Sequence, residues 1–219
     1  MIEVQKIFLV VQDLMRKDLA GGYVSNDEFN RQINLSQNIL YNYCYDHINE
    51  SWARESLIGF HVSTTLNATT SGVYTKPGDY RDKQDLALIV NEAQIPVHIP
   101  RRDELAMTLS SPVRGPSLAR EVVVGEIADT AINIWPQTSN QLFLRYYKNP
   151  PDAVRAVTID SDTQYEVYNA AGTTNLDWDQ GNFKDFVDLM MLMKGVILRD
   201  SSLVAWVQQK GVITQQLTQ

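Results

Sequence analysis

Apolar residues recur with a helical period at the start of the chain. The first stripe consists of Val4, Ile7, Phe8, Val11, Leu14 and Met15. This spacing predicts an amphipathic helix over residues 3–18, and the glycines at 21–22 indicate its end.

A second helix is predicted over residues 26–49. Ser25 and Glu28 have the spacing of a capping box, and Val24 and Phe29 have that of a hydrophobic staple. Its polar side is rich in amides rather than charges: Asn34, Gln37, Asn38 and Asn42. An amide-rich face suits a helix that meets other chains, although solvent also permits it. A short helix over 51–57 is expected to follow.

The middle of the chain loses the helical period. Residues 59–80 are rich in Thr, Ser, Gly and Asn, which predicts one strand or a hairpin with a flexible tip. Residues 86–120 contain Pro96, Pro100, Pro112 and Pro116. Because proline disfavours helical backbone in the residue before it, this stretch is predicted to be an extended Pro-rich arm with a helical piece near 102–109. Long arms without internal pairing usually pack on something else.

From Val122 the apolar period becomes two. The predicted strands are 122–124, 130–135, 141–147, 156–159 and 165–168, separated by turn residues. Short strands at this spacing suggest a small antiparallel sheet or barrel.

The helical period returns near the end of the chain. Asp177 or Asp179 is predicted to cap a helix over 180–194, and Gly195 stands where a helix stop belongs. A last helix over 201–211 and a loose end over 212–219 are expected.

These patterns predict an α+β fold. A helical N-terminal hairpin and C-terminal helices would pack with the small antiparallel sheet or barrel, beside the arm. The predicted segments are an N-terminal helical part (1–58), a Thr/Ser-rich strand and Pro-rich arm (59–120), an antiparallel β part (121–175) and C-terminal helices (176–219).

Charge disfavours tight binding of nucleic acid. The chain has 26 acidic and 19 basic residues, for a net charge of −7. The stretch from 150 to 190 is the most acidic, and such a surface repels phosphate. Two explanations of this charge are open. It provides simple solubility, or it forms a surface past which DNA moves without binding.

The compartment is predicted from cysteine and hydropathy. One cysteine, Cys44, has no partner for an internal disulfide, which fits a reducing compartment. The N-terminal apolar run is too short for a signal peptide, and no run is long enough to cross a bilayer.

Candidate chemistry is sparse. The histidines His47, His61 and His98 fall in three segments without a metal-binding or catalytic pattern. The aspartate pairs 160/162 and 177/179 could hold a cation, but a turn and a helix cap explain them as well. We therefore expect no catalytic residue, no cofactor and no metal.

Aromatic and proline residues are better candidates for contacts between subunits, because Tyr and Trp often anchor protein interfaces. The candidate interface residues are Tyr74, Pro96, Pro100, Trp135, Tyr146 and Tyr147.

Several phrases of the sequence resemble a family of small virion proteins from short-tailed phages, including crAss-like and related phages of Bacteroidetes. Residues 22–30, GYVSNDEFN, are similar to the family phrase GY-[IV]-[ST]-x-x-E-F-N, and residues 144–151, LRYYKNPP, are similar to its L-R-Y-Y-[KR]-x-P strand. The Tyr-containing hairpin at 165–168, the acid-capped helix at 179–194 and the phrase GVILRD at 195–200 match in the same order. The stretch 59–120 matches nothing specific.

The resemblance implies a ring in the neck of the particle, which connects head to tail and lets DNA pass. By looser analogy with tail tubular adaptors, helices would dock on the portal protein and a β domain would extend toward the tail in a ring of twelve copies. Other neck or tail proteins would be further partners. The protein would be assembled in the host cytoplasm and located in the virion, without membrane contact.

Two other functions remain open at this point. A tail or baseplate module that binds host glycans would use the aromatic residues of the β part. A small hydrolase would use scattered acids such as Asp160 and Asp162.

Overall fold

The computed structural model of the protein describes residues 1–16, 24–113 and 115–193. These residues form an α+β structure with two compact units. Phe60–Asn149 is a β unit, and the described residues before and after it form a helical unit. The four segments predicted from the sequence do not coincide with these units, because the chain leaves the helical unit once, after Gly59, and returns at Pro150.

The helical unit contains four α-helices: α1 (Val4–Arg16), α2 (Asn26–Asp46), α3 (Ser51–Ser56) and, after helix α4 (Leu105–Ser110) of the β unit, α5 (Phe183–Met193). Helix α5 packs against both α1 and α2. All five described helices lie where the sequence predicted helix, with ends shifted by at most three residues. The predicted helix over 201–211, the stop at Gly195 and the loose end over 212–219 lie outside the described residues.

Both predicted caps are present. The Ser25 hydroxyl accepts a hydrogen bond from the backbone N–H of Glu28 at 3.3 Å and begins α2. Asp179 accepts from the N–H of Gly181 at 2.8 Å and begins a 3-10 turn, Gln180–Asn182, that leads into α5. These bonds satisfy N–H groups that have no partner within the helix.

The core of the helical unit is centred on Trp178, which is fully buried. Its ring packs edge-on against Tyr41 and Phe186, with centroids 6.5 and 5.5 Å away, and its indole N–H donates to Gln37 at 3.3 Å. Trp178, which precedes α5 in the chain, thereby packs against α2 and is hydrogen-bonded to it.

The amide face of α2 holds an extended segment of its own chain, residues 151–155. The bonds are Gln37 Nε2 to the carbonyl oxygen of Pro151 (2.8 Å), Asn34 to both backbone groups of Ala153 (2.8 and 2.9 Å) and Asn30 to both backbone groups of Arg155 (2.8 and 3.1 Å). Amides three and four residues apart lie on one face of a helix. Here they make the backbone hydrogen bonds that a neighbouring strand would otherwise make to this segment. Part of the face that the sequence suggested for other chains is therefore used within the molecule.

The β unit is built on eight strands. They are β1 (His61–Leu66), β2 (Ala68–Thr70), β3 (Val73–Thr75), β4 (Tyr80–Val90), β5 (Ala93–His98), β6 (Val123–Ile127), β7 (Ala131–Trp135) and β8 (Leu142–Lys148). Their order in the sheet is β1-β8-β4-β5-β6-β7-β3-β2. All pairs are antiparallel except β5 with β6.

The sheet is curled into a nearly closed barrel. β1 and β2 lie at its opposite edges, yet Asn67 alone separates them in the sequence. A flat sheet of this width would hold its edge strands about 34 Å apart, whereas one intervening residue spans about 7 Å. Its edges must therefore approach each other near Asn67. The interior is filled by buried side chains from six strands: Tyr74, Leu86, Leu88, Ile95, Val97, Val123, Ile132, Ile134, Leu142, Leu144 and Tyr146.

Strand β4 is the element that the sequence analysis missed. Its first half is charged, and its hairpin turn to β5 uses Asn91 and Glu92, both with positive φ (49° and 67°). A turn of this kind usually contains glycine, and Glu92 gives no such signal.

The prediction of a Pro-rich arm without internal pairing is wrong for residues 93–98. This stretch is extended, as proline requires, but it is strand β5, paired with β4 on one side and β6 on the other. Pro96 is tolerated there at an exposed position. The Thr-rich stretch, predicted to be one strand or a hairpin, contains both: strand β1 and the β2–β3 hairpin.

The last two described strands, β9 (Val157–Ile159) and β10 (Glu166–Tyr168), belong to the helical unit and not to the barrel. They pair antiparallel as a separate two-stranded sheet, with Ile159 opposite Glu166 and Thr158 opposite Val167.

Candidate protein-interaction surface

Three of the predicted interface residues are buried inside their own chain. Tyr74 and Tyr146 lie in the barrel core, where their hydroxyls donate to the carbonyl oxygen of Asn140 (2.5 Å) and the carboxylate of Asp79 (2.9 Å). Tyr147 is 9% exposed. These tyrosines stabilise their own molecule and offer little surface to a neighbour.

The other three predicted interface residues keep accessible surface on different elements. Pro96 is exposed on β5, Trp135 is half-buried at the end of β7, and Pro100 is half-buried after β5. Pro100 lines a cavity of about 380 Å³ in the β unit, together with Arg102 and Asp129. The structure does not join the six predicted residues into one surface patch.

One aspartate of each predicted pair has a structural role. Asp160 accepts hydrogen bonds from the N–H of Thr163 (2.8 Å), the N–H of Asp162 (2.9 Å) and the Thr163 hydroxyl (3.0 Å). These bonds lower the pKa of Asp160, because they stabilise its charged form, and the bond from the Thr163 N–H has the largest effect. Asp179 is the helix cap described above. A turn and a cap thus account for Asp160 and Asp179.

The histidines belong to three different elements of the structure. His47 Nδ1 donates to the carbonyl oxygen of Tyr43 at 2.8 Å, the ring of His61 lies 5.7 Å from that of Tyr147, and His98 is exposed on β5. Across residues 1–16, 24–113 and 115–193, no three His, Cys, Asp or Glu side chains are grouped to hold a metal ion.

The β9–β10 hairpin exposes large apolar side chains to solvent. Ile159 is 67% exposed, Tyr165 74% and Val167 48%. Ile159 lies on one face of the hairpin, and Tyr165 and Val167 on the other. A two-stranded hairpin is by itself at best marginally stable, and these exposed side chains are placed for contact with another surface.

The same hairpin is acidic. Between Val157 and Tyr168 the chain has Asp160, Asp162 and Glu166 and no Lys or Arg. Within the hairpin, the exposed apolar side chains therefore have only acidic groups as charged neighbours.

A cleft of about 470 Å³ separates this hairpin from α1. Phe8 and Arg155, both less than 10% exposed, lie at its floor, and Leu9, 46% exposed, lies on its wall. Its complete lining is Gln5, Phe8, Leu9, Gln12, Arg155, Gln164, Tyr165 and Glu166. The lining is mixed: Phe8, Leu9 and Tyr165 offer apolar contact, and three glutamine amides offer hydrogen bonds, to a segment of protein that inserts a bulky side chain.

Sequence analysis predicted the two strands of this hairpin but not its role as a surface. Alternation in V-T-I and E-V-Y indicates strands, and it does not show that Ile159, Tyr165 and Val167 stay exposed. Leu9 likewise lies outside the apolar stripe of α1, and the sequence did not show that its side chain lines a cleft.

None of the described helices is both long enough and apolar enough to cross a lipid bilayer. Comparisons of the sequence with models of protein families and with curated proteins find no match.

Proposed function

We propose that the chain is a non-enzymatic structural subunit of a tailed bacteriophage, forming a ring in the neck that connects head to tail and lets DNA pass. The observation that carries this proposal is the layout of the chain. A β barrel is inserted as one excursion, Phe60–Asn149, into a helical unit. This layout agrees with the analogy of helices that dock on a portal and a β domain that extends toward the tail.

Two of the phrases that carry the resemblance have definite structural roles, which supports the proposal, while GVILRD lies outside the described residues. GYVSNDEFN contains the cap and first turn of α2, the longest described helix. LRYYKNPP contains most of β8, which pairs with both β1 and β4, and the return of the chain to the helical unit. We take the two N-terminal helices to form the predicted helical hairpin, since the rings of Phe8 and Phe29 pack edge-on at 5.1 Å.

Within the ring each copy would present two different surfaces to its two neighbours, in the manner of a heterologous closed assembly of twelve. The portal protein and other neck or tail proteins would contact the ring faces. A net charge of −7 favours passage of DNA without capture.

The alternative functions have less support. A glycan-binding module needs several accessible aromatic rings, whereas Tyr146 and Tyr147 are buried, Trp135 is half-buried and Tyr165 is the exposed one among these four. A hydrolase needs acids that converge on a cleft, whereas the Asp160 carboxylate is occupied by the bonds of its own turn.

Assembly state is the test. The purified chain, alone and mixed with portal protein, would be measured by light scattering after size-exclusion chromatography and imaged by electron microscopy. We expect rings, either alone or on the portal, and no shift of duplex DNA at moderate salt. A chain that stays monomeric at high concentration and never joins the portal contradicts the proposal.

A further inference from the structure

We infer that the β9–β10 hairpin and the cleft beside α1 are the docking site for a different protein, one that presents a bulky apolar side chain next to Lys or Arg. The inference rests on the proposed function in one respect: it takes that partner to be another component of the particle. The chemistry of the site itself is independent of that assignment.

The first step is exposure. Tyr165 and Ile159 are 74% and 67% exposed on opposite faces of a sheet that has only two strands. Within the described residues no further strand pairs with either edge of this sheet. The hairpin thus offers both apolar side chains and unpaired strand edges, which are the features that β-augmentation uses.

The second step is shape. The cleft of about 470 Å³ has the Phe8 ring and the Arg155 guanidinium at its floor and Leu9 and Tyr165 among its lining residues. An aromatic or large aliphatic side chain entering it would cover apolar surface on α1 and on the hairpin at once. Side chains that fill a pocket in this way dominate the energy of protein interfaces.

The third step is charge. Asp160, Asp162 and Glu166 are the charged side chains of the hairpin. The one cation of the cleft, Arg155, is buried at its floor and donates to Gln5 and Asn26, whereas Glu166 lines the cleft and belongs to the exposed hairpin. A partner with Lys or Arg over the hairpin, beside its apolar residue, is therefore favoured, and an acidic partner is repelled there. Because the chain carries −7 overall, another copy of itself is a poor match for this surface.

The fourth step is order before binding. Three hydrogen bonds to Asp160 hold the turn that precedes Tyr165. A turn that is ordered in advance lowers the entropy lost on docking.

The test uses peptides of known chemistry. Capped peptides of about eight residues, with a central Phe flanked by two Lys or by two Glu, would be titrated into the isotope-labelled full chain and followed by NMR. We expect shifts at 159–167 and at Leu9, and an affinity about tenfold higher for the Lys peptide. Replacing the central Phe by Ser should abolish the shifts.

Two variants locate the site. Tyr165→Ser should remove binding of the Lys peptide, and Glu166→Gln should weaken it, with both proteins folded. Ile58→Ser is the matched control, because Ile58 is 71% exposed in the helical unit and does not line the cleft, so binding should persist.

The outcomes separate this inference from the proposed function. Absence of shifts at the hairpin and cleft, equal affinity for the Lys and Glu peptides, or self-association that Tyr165→Ser abolishes would each overturn the docking inference; the last would identify a second copy as the occupant. Rings that form normally while the peptides fail leave the neck function standing. Peptide binding without any assembly leaves the docking site standing and removes the neck function.

Discussion

The guanidinium carbon of Arg155 lies 3.8 Å from the centre of the Phe8 ring. Arg155 is 7% exposed, and its Nε and Nη1 donate to Gln5 (2.7 Å) and Asn26 (2.8 Å). One side chain therefore joins α1, the first residue of α2 and the segment that leads into the β9–β10 hairpin. The contact is a desolvated cation–π pair completed by amide acceptors.

Replacement of this arginine should destabilise the helical unit. Arg155→Met keeps a long apolar side chain but loses the donors and the charge above Phe8, so we expect the free energy of unfolding to fall by roughly 2–4 kcal/mol. Urea denaturation measures it. Arg31→Met, at an exposed position on α2, is the control and should change the value by less than about 0.5 kcal/mol. Equal effects of the two substitutions would show that the Phe8 contact contributes nothing.

The amide ladder on α2 predicts a difference between two asparagines of one helix. Asn34→Ala leaves the N–H and the carbonyl of Ala153 without their α2 partner, which should cost roughly 2 kcal/mol. Asn38→Ala changes an exposed residue one turn later and should be neutral or slightly stabilising, since alanine favours helix. Thermal unfolding of both variants checks this, and a neutral Asn34→Ala would mean that water replaces the ladder.

Packing inside the barrel predicts an effect of adding one methyl group. A Cβ on Gly125 would lie 2.6 Å from Cγ1 of Val97 and 3.1 Å from Cδ1 of Ile134. Gly125→Ala should therefore lower stability by about 1–3 kcal/mol. Gly78, with nothing within 4 Å of an added Cβ, is the matched site, and Gly78→Ala should stay within about 0.5 kcal/mol of wild type. Calorimetry of both proteins measures the difference, and an unchanged melting temperature for Gly125→Ala would contradict the packing.

Alkaline pH should weaken the barrel. Burial, and then donation to Asp79, raise the pKa of Tyr146 to about 12 from 10.0, and burial is also the main cause that raises the pKa of Tyr80 to about 12. Because the folded values lie above the unfolded ones, the stabilisation is complete below pH 10 and is lost as pH rises from 10 toward 12.

Urea denaturation across this pH range measures the loss. Tyr146→Phe removes one of the two groups and should give a shallower fall of stability with pH. Tyr165→Phe, at an exposed hydroxyl, should follow the wild-type slope. A fall of equal steepness in all three proteins would assign the alkaline sensitivity to other groups.

The helices were the most predictable part of the fold, because their signals are local. Ser25 and Glu28 stand three residues apart, and the apolar residues of α1 repeat every turn, so the chain carries this information without reference to distant residues. The strands β6 to β10 were predictable from alternation for the same reason.

The hairpin of β4 and β5 was not predictable from its residues. Its turn places Asn91 and Glu92 at positive φ without glycine, and the prolines near Pro96 indicated an unpaired extended segment. Whether an extended segment is a strand depends on which segments lie beside it. Here those partners are β4 and, about 25 residues later in the chain, β6.

The candidate surface shows the same division. Tyr74, Tyr146 and Tyr147 have the composition of interface anchors, and only the barrel around them shows that they are buried. Tyr165 and Ile159 belong to equally ordinary strands, and only the lack of a covering layer in the described structure shows that they are exposed.

By itself, the sequence determined the helix positions, most strand positions, the α+β class and the acidic charge, since each follows from residues close together in the chain. Tertiary structure decided that β1 and β2 meet as the edges of one barrel, that α2 holds residues 151–155, and which aromatic side chains face solvent. The reason is physical: burial and strand pairing depend on residues that are far apart in the sequence. The local periodicity of a segment does not indicate which distant segment packs against it or pairs with it.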